Sequence, residues 1–261
     1  MGGHVYVVGG VTRSGAAETS AGAFRYDPAG DRWDRLPDLP EGIAFPGLAV
    51  VGDTILALGG SARADGVSPR RSVWAWWEGE EAWRAHSALP ILSMAPVAVA
   101  TQGGVVAGRL GAAFTPSPGD SAAFLAAGSA EWRYIAPWPA RGEALVSVGD
   151  EAWAVGAGRV TRYEAETDAW TDVSRVAAEG FLLAAAGGER RLHVMVRLGT
   201  IVDHQVLDAG SGTWTSAAAP PASSARHSAM VAVVDGRIYI IGGGEGPETI
   251  LARVDVYTPP S

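Results

Sequence analysis

The chain contains no cysteine, no lysine and no asparagine. Without cysteine there are no disulfides, no thiolate chemistry and no cysteine-based metal sites. Without lysine there is neither a Walker A phosphate loop nor Schiff-base chemistry, and without asparagine there is no N-glycosylation sequon. All 20 cationic residues are therefore arginine, a bias that points to a GC-rich, bacterial genome rather than to a structural demand. No apolar run approaches the eighteen residues that a membrane-spanning helix requires, so no membrane span is expected. A net charge of −8 argues against nucleic acid as a partner, because phosphate neutralisation needs a basic face. No His-Glu-x-x-His, EF-hand loop or histidine triad occurs, and neither a metal nor any other cofactor is expected.

What is present is punctuation. Across 261 residues, 35 Gly and 16 Pro are scattered between short apolar runs, which excludes long helices and signals turns between strands. Self-similarity then emerges. A strand ends in a large apolar residue and a Trp follows seven positions later: Tyr26 and Trp33, Trp76 and Trp83, Leu125 and Trp132, Tyr163 and Trp170, Leu207 and Trp214. Turn formers such as Asp27-Pro28-Ala29-Gly30-Asp31 separate the two, as a hairpin requires. Ahead of this marker come two apolar strands joined by a tight turn and closed by a Gly pair. Leu48–Val51, Gly52-Asp53, Ile55–Leu58 and Gly59-Gly60 form one example, and Met230–Val234 through Gly242-Gly243 another. The pair decays mid-chain to Ala107-Gly108 and Gly156-Ala157. Each unit thus predicts four short antiparallel strands, and such sheets bury both faces only by packing around an axis.

Together, the Gly pairs, the large residue ending the third strand and the spaced Trp resemble the kelch family over almost the whole chain. The most family-like segment runs from Arg226-His227-Ser228-Ala229 through Asp235-Gly236-Arg237-Ile238-Tyr239 to Gly243. The resemblance implies an all-β, six-bladed kelch-type β-propeller in one domain over 1–261. Its blades are expected at approximately 1–40, 41–90, 91–139, 140–173, 174–217 and 218–261. The family spans partner-binding modules, sugar-converting enzymes and a copper oxidase, so the fold alone names no function. The oxidase's copper centre needs a Tyr cross-linked to Cys, which this chain cannot form.

Counting strands exposes a seam. The first blade begins at a second strand, Val5–Val8, and the last ends with its third, Val254–Tyr257, so both are expected to be partial. The missing fourth and first strands are consecutive in the pattern, a segment of about 25 residues by the usual repeat length. Either a longer chain supplies it upstream of Met1, or a partner or second copy associates through the unclosed seam, or the ring stands with thin end blades. Localisation divides along the same line: cytoplasmic if Met1 is the true start, secreted or periplasmic if an upstream segment is missing.

In such blades the second-to-third and fourth-to-first loops share the face around the central channel mouth, the default ligand site. Arginines recur there. Arg13 and Arg63 each follow a Gly pair by three residues, Arg109 and Arg159 follow the degenerate pairs, and Arg141 and Arg226 open first strands nine residues before Asp150 and Asp235. A collar of these six would bind a carboxylate or phosphate bidentately, although loop arginines are also expected where arginine is the only cation. Acid–base candidates are Glu179 and His227; His86 and His193 read as ordinary strand or loop residues. The reading is a binding module for a protein segment or small anionic ligand on this face. The alternative is a cofactor-free enzyme on an acidic carbohydrate, similar to kelch proteins that interconvert sialic-acid anomers, with Arg141 and Arg226 on the carboxylate.

Overall fold

A computed structural model of the chain describes residues 3–12, 18–109, 122–137, 144–156, 158–176, 181–198, 201–219, 229–246, 249–251 and 253–259. The first sheet holds β1 (Val5–Val8), β2 (Ala23–Asp27) and β3 (Arg32–Leu36). The second holds β4 (Gly47–Val51), β5 (Thr54–Leu58), β6 (Val73–Trp77) and β7 (Arg84–His86). In the third are β8 (Pro96–Thr101), β9 (Gly104–Arg109), β10 (Ala122–Ala126) and β11 (Trp132–Ile135). The fourth contains β12 (Ala144–Val148), β13 (Glu151–Gly156), β14 (Arg159–Glu164) and β15 (Ala169–Arg175). Next come β16 (Phe181–Gly187), β17 (Arg191–Leu198), β18 (Ile201–Asp208) and β19 (Trp214–Ala217). The last sheet pairs β20 (Met230–Val234), β21 (Arg237–Ile241) and β24 (Val254–Tyr257). A short hairpin not expected from the sequence, β22 (Gly244–Gly246) and β23 (Thr249–Ile250), stands in the loop between β21 and β24. Its Gly-rich stretch carries too little hydrophobic alternation to mark strands.

Every blade sheet is an antiparallel meander, and the six form the blades of a propeller, three-stranded at the first and last positions. Each neighbouring pair of blades shares one apolar cluster. Leu36 and Leu39 of blade one meet Ile55 and Trp83 of blade two, and Leu58 and Val73 meet Val105 and Leu125 of blade three. Phe124 packs with Leu145 and Tyr163, Val155 with Leu192, and Met195 with Ile238 and Ile240. The sixth cluster, Val5 with Tyr239 and Ile241, joins the first blade to the last and closes the ring by side chains. Alternating faces of the strands thus feed two different interfaces, which is why Ile238-Tyr239-Ile240-Ile241 is apolar throughout.

The Gly pairs owe their identity to backbone geometry. Both members take positive φ in all three: Gly9 and Gly10, Gly59 and Gly60, Gly242 and Gly243. Side chains other than hydrogen rarely tolerate that region. At Gly60 a Cβ would also lie 2.5 Å from the carbonyl oxygen of Ala44. Neither Gly108 nor Gly156 takes a positive φ, so in those blades the signature decays together with the turn it encodes.

Third-to-fourth-strand hairpins repeat a second device. Tyr26 donates its hydroxyl to Asp31 at 2.8 Å and Tyr163 to Asp168 at 2.7 Å; both Asp residues sit at positive φ. In four of the blades the Trp that follows bonds to the preceding blade. Trp83 Nε1 donates to the Pro37 carbonyl at 2.8 Å, Trp132 to that of Ser87 at 3.2 Å, and Trp170 to that of Ala136 at 2.8 Å. Trp214 donates to Ser174 Oγ at 2.8 Å. In each case the acceptor lies four residues past the previous blade's own Trp. Trp33, which faces the three-stranded last blade, is instead 41% exposed. Its indole N–H has no hydrogen-bond partner among the described residues.

Candidate functional site

In the second blade the order β4-β5-β6-β7 sends three loops to one end: residues 37–46, 59–72 and 87–95. These are the second-to-third and fourth-to-first loops, on the face expected to surround the channel mouth. Ala44 and Ser61 exchange backbone hydrogen bonds at 2.8 Å in each direction, and Arg70 N donates to the Gly60 carbonyl at 2.7 Å. The side chain of Ser61 is fully buried and accepts from the amides of Arg63 and Ser68, which holds the 61–70 loop in shape. Glu41 fastens the adjoining loop. Its Oε1 accepts from Ser72 Oγ at 2.6 Å and from Trp74 Nε1 at 3.2 Å, and Arg70 Nε stands 3.8 Å from Oε2.

On this clamped frame three apolar side chains face solvent: Phe45 at 42%, Val67 at 68% and Leu92 at 48% exposure. Phe45 also carries φ 55°, a left-handed backbone that costs a bulky residue on the order of 1–3 kcal/mol. The Ala44–Ser61 bonds and the close passage of Gly60 impose it. Burying Phe45 would have been the cheaper arrangement for stability alone. Sequence patterning carries no sign of it, because Phe45 stands in a Pro-rich loop outside any strand period.

The arginines expected to form a collar have separate partners where they are described. Arg63 grips Asp65 through Nε and Nη2, at 3.1 and 2.8 Å, within its own loop. Arg159 opens β14 and bonds Asp172 of β15 at 3.0 Å. Arg109 ends β9, half-buried opposite Pro96. Arg13, Arg141 and Arg226 lie outside the described residues, as do the acid–base candidates Glu179 and His227.

A polar pair in the fifth blade escaped the sequence reading. His193 on β17 and His204 on β18 are both buried, with His193 Nδ1 and His204 Nε2 3.1 Å apart. They are diagonal neighbours, because Met195 stands opposite His204 and Val206 opposite His193. His204 Nδ1 lies 2.9 Å from the Ala218 carbonyl, which can only accept, so Nδ1 carries the proton and Nε2 accepts from His193. Burial, then the neighbouring His204 and Arg191, push His193 down to about 4. Burial also lowers His204, against the opposing pull of the Ala218 carbonyl and Asp203. The bonds of the pair run to each other and to a main-chain carbonyl, so its part is structural. It ties blade five to Tyr257, whose ring stacks edge-on against His204 at 5.6 Å.

Among the described residues, no three His, Asp or Glu side chains come together as metal ligands, and no helix is long and apolar enough to cross a membrane. The family model for the Kelch motif matches residues 1–40 and 225–261, the first and last blades. No curated protein matches the sequence.

Proposed function

The chain is a kelch-repeat β-propeller, and on that premise we propose that it is a binding module whose channel-mouth face, around the loops of the second blade, receives a segment of another protein. The observation that carries the reading is Phe45: an exposed aromatic in a left-handed backbone, held there by hydrogen bonds on a rigid loop pair. Exposed aromatics on pre-organised frames supply contact area with little ordering cost, the usual character of interface anchors. Val67 and Leu92 extend the apolar area, and the Arg63–Asp65 pair and Glu41 give it a polar rim.

A displayed peptide library, enriched on the intact protein, tests this. Peptides that bind the wild type are expected to lose roughly tenfold or more in affinity to Phe45→Ser, matching the loss of an aromatic anchor. They should bind unchanged to an Asp53→Ser control, exposed in the β4–β5 turn at the opposite end of the blade. Enriched peptides indifferent to Phe45, Val67 and Leu92 would dismiss the reading. The anionic-ligand alternative rests on the arginines, and Arg63 and Arg159 already hold carboxylates. A thermal-shift panel of sialic acid, a uronate and phosphate decides it. A specific rise abolished by Arg226→Ala would replace the peptide with an acidic ligand, and anomeric proton exchange by NMR would then reveal any catalysis.

A further inference from the structure

Among the described residues, the seam between the last blade and the first is closed by apolar side chains and by no strand. β24 is the outermost described strand of the sixth sheet, paired with β21 alone. Beside it, Val256 is 49% exposed and Trp33 41% exposed. Both belong to one strip. Val256 stands opposite Tyr239, Tyr239 meets Tyr26 edge-on at 6.1 Å, and Tyr26 stacks on Trp33 at 5.0 Å.

We propose that this strip is the dimer interface of the protein, filled by the β24 strand of a second copy running antiparallel to the first. The other blades dictate the register. Three residues before its terminal large residue, the third strand of four of the five other blades faces the fourth in one register: Ala23 opposite Leu36, Val73 opposite His86, Ala122 opposite Ile135, His204 opposite Ala217; a bulge in the fourth blade sets Val160 opposite Ser174 instead. The corresponding third-strand residue in the last blade is Val254. Setting Val254 against the second copy's Val254 places a two-fold axis between them, and two slots fill at once. The second copy's Val254 takes the apolar position of Leu36 and Ile135. Its Leu251 comes opposite Tyr257, where the other blades hold Trp.

Charge agrees with this register. Arg253, immediately before β24, and Asp255 on it lie on one face, 2.7 Å apart through Nε. In the two-fold arrangement Arg253 of each copy stands opposite Asp255 of the other, giving four alternating charges across two strands. A shift of one strand residue along the pair in either direction would abolish that pairing, and a shift that set Asp255 against Asp255 would oppose like charges. The arrangement is isologous and closes on itself, so it yields a dimer and not a filament. It also covers an edge that otherwise invites unspecific pairing.

Sedimentation velocity of the intact protein, from about 1 to about 300 μM, covers the range where an interface of this modest size associates. The wild type is expected to pass from monomer to dimer. Arg253→Asp and Asp255→Arg should each weaken association roughly tenfold or more, because each sets like charges together in the homodimer. An equimolar mixture of the two variants should dimerise again, since the two acidic side chains on β24 of one variant then face the two guanidinium groups of the other. That recovery is invisible to any effect on a single chain's fold. A wild type monomeric throughout, a dimer indifferent to both charge variants, or a mixture that stays monomeric would each overturn the proposal. So would a monomer whose β24 amides are already protected from hydrogen exchange on their outer side, which would assign the edge to another strand.

Discussion

The phenol of Tyr257 donates to the carbonyl of Ala218, which lies four residues past Trp214 and so occupies the place of the acceptor that an indole reaches between the earlier blades. With three strands, the last blade has no Trp to offer, and its third-strand aromatic reaches the preceding blade directly. Removing only the hydroxyl, with Tyr257→Phe, should lower stability by about 0.5–1.5 kcal/mol, the net worth of one such bond. Urea denaturation measures it. Equal midpoints for variant and wild type would mean that the bond between blades five and six contributes nothing.

The Trp residues, alike in sequence spacing, are expected to differ in weight. Trp83 is 4% exposed, bonded to Pro37 and packed against Leu36 and Leu39, so Trp83→Ala should cost about 3–5 kcal/mol. Trp33 lacks both the acceptor and the covering strand. Trp33→Ala should cost less than half as much when measured at a concentration where the protein is monomeric.

Stability should fall between about pH 6.5 and about pH 4. In the unfolded chain a histidine titrates near 6.5. Folded His193 refuses its proton until about pH 4, and His204 is lowered as well. Across that window the unfolded state binds more protons, so acid favours unfolding by up to about 1.4 kcal/mol per pH unit for each proton taken up. Above about pH 6.5 these groups contribute no further change. Aspartates held low by arginine or amide partners, such as Asp65 and Asp168, act only at more acid pH. Denaturation at a series of pH values from about 7.5 down to about 4.5 isolates the histidines, and His193→Leu should flatten the slope.

Gly60→Ala should destabilise the second blade by more than the simple loss of a favourable φ. The added methyl would meet the Ala44 carbonyl at 2.5 Å and force apart the two loops that hold Phe45. A loss of about 1–3 kcal/mol is expected from strain at such a site. Peptide binding at the mouth face should weaken along with it, whereas Gly52→Ala, in the opposite hairpin turn with open space around it, should leave binding intact.

Much of the architecture was legible along the chain because it is local. A Gly pair reports a backbone with positive φ, as at Gly59 and Gly60, and a Trp seven residues past a large apolar residue reports a hairpin of fixed length. Strands apolar throughout, such as Ile238-Tyr239-Ile240-Ile241, report two buried faces. The thin end blades could be counted for the same reason. The candidate site was not legible. Phe45 is exposed because of the bonds between its neighbour Ala44 and Ser61, which lie across a hairpin from one another, and no period records that. The paired histidines likewise look like separate strand residues until the β17–β18 register sets them on one diagonal. Spacing placed the collar arginines after intact or degenerate Gly pairs or at the start of first strands but could not show their partners, and Arg63 and Arg159 are already bound by nearby aspartates.

Sequence by itself determined the repeat, the kelch likeness, the number of blades and the absence of thiol, lysine and sequon chemistry, since each follows from residue type at fixed short spacing. Tertiary structure alone decided which Trp is buried and which is bare, where an aromatic is held out to solvent, and how Val5, Tyr239 and Ile241 close the ring. Those outcomes depend on contacts between segments far apart in the chain, and their cost or gain is set by what the neighbouring blade places opposite.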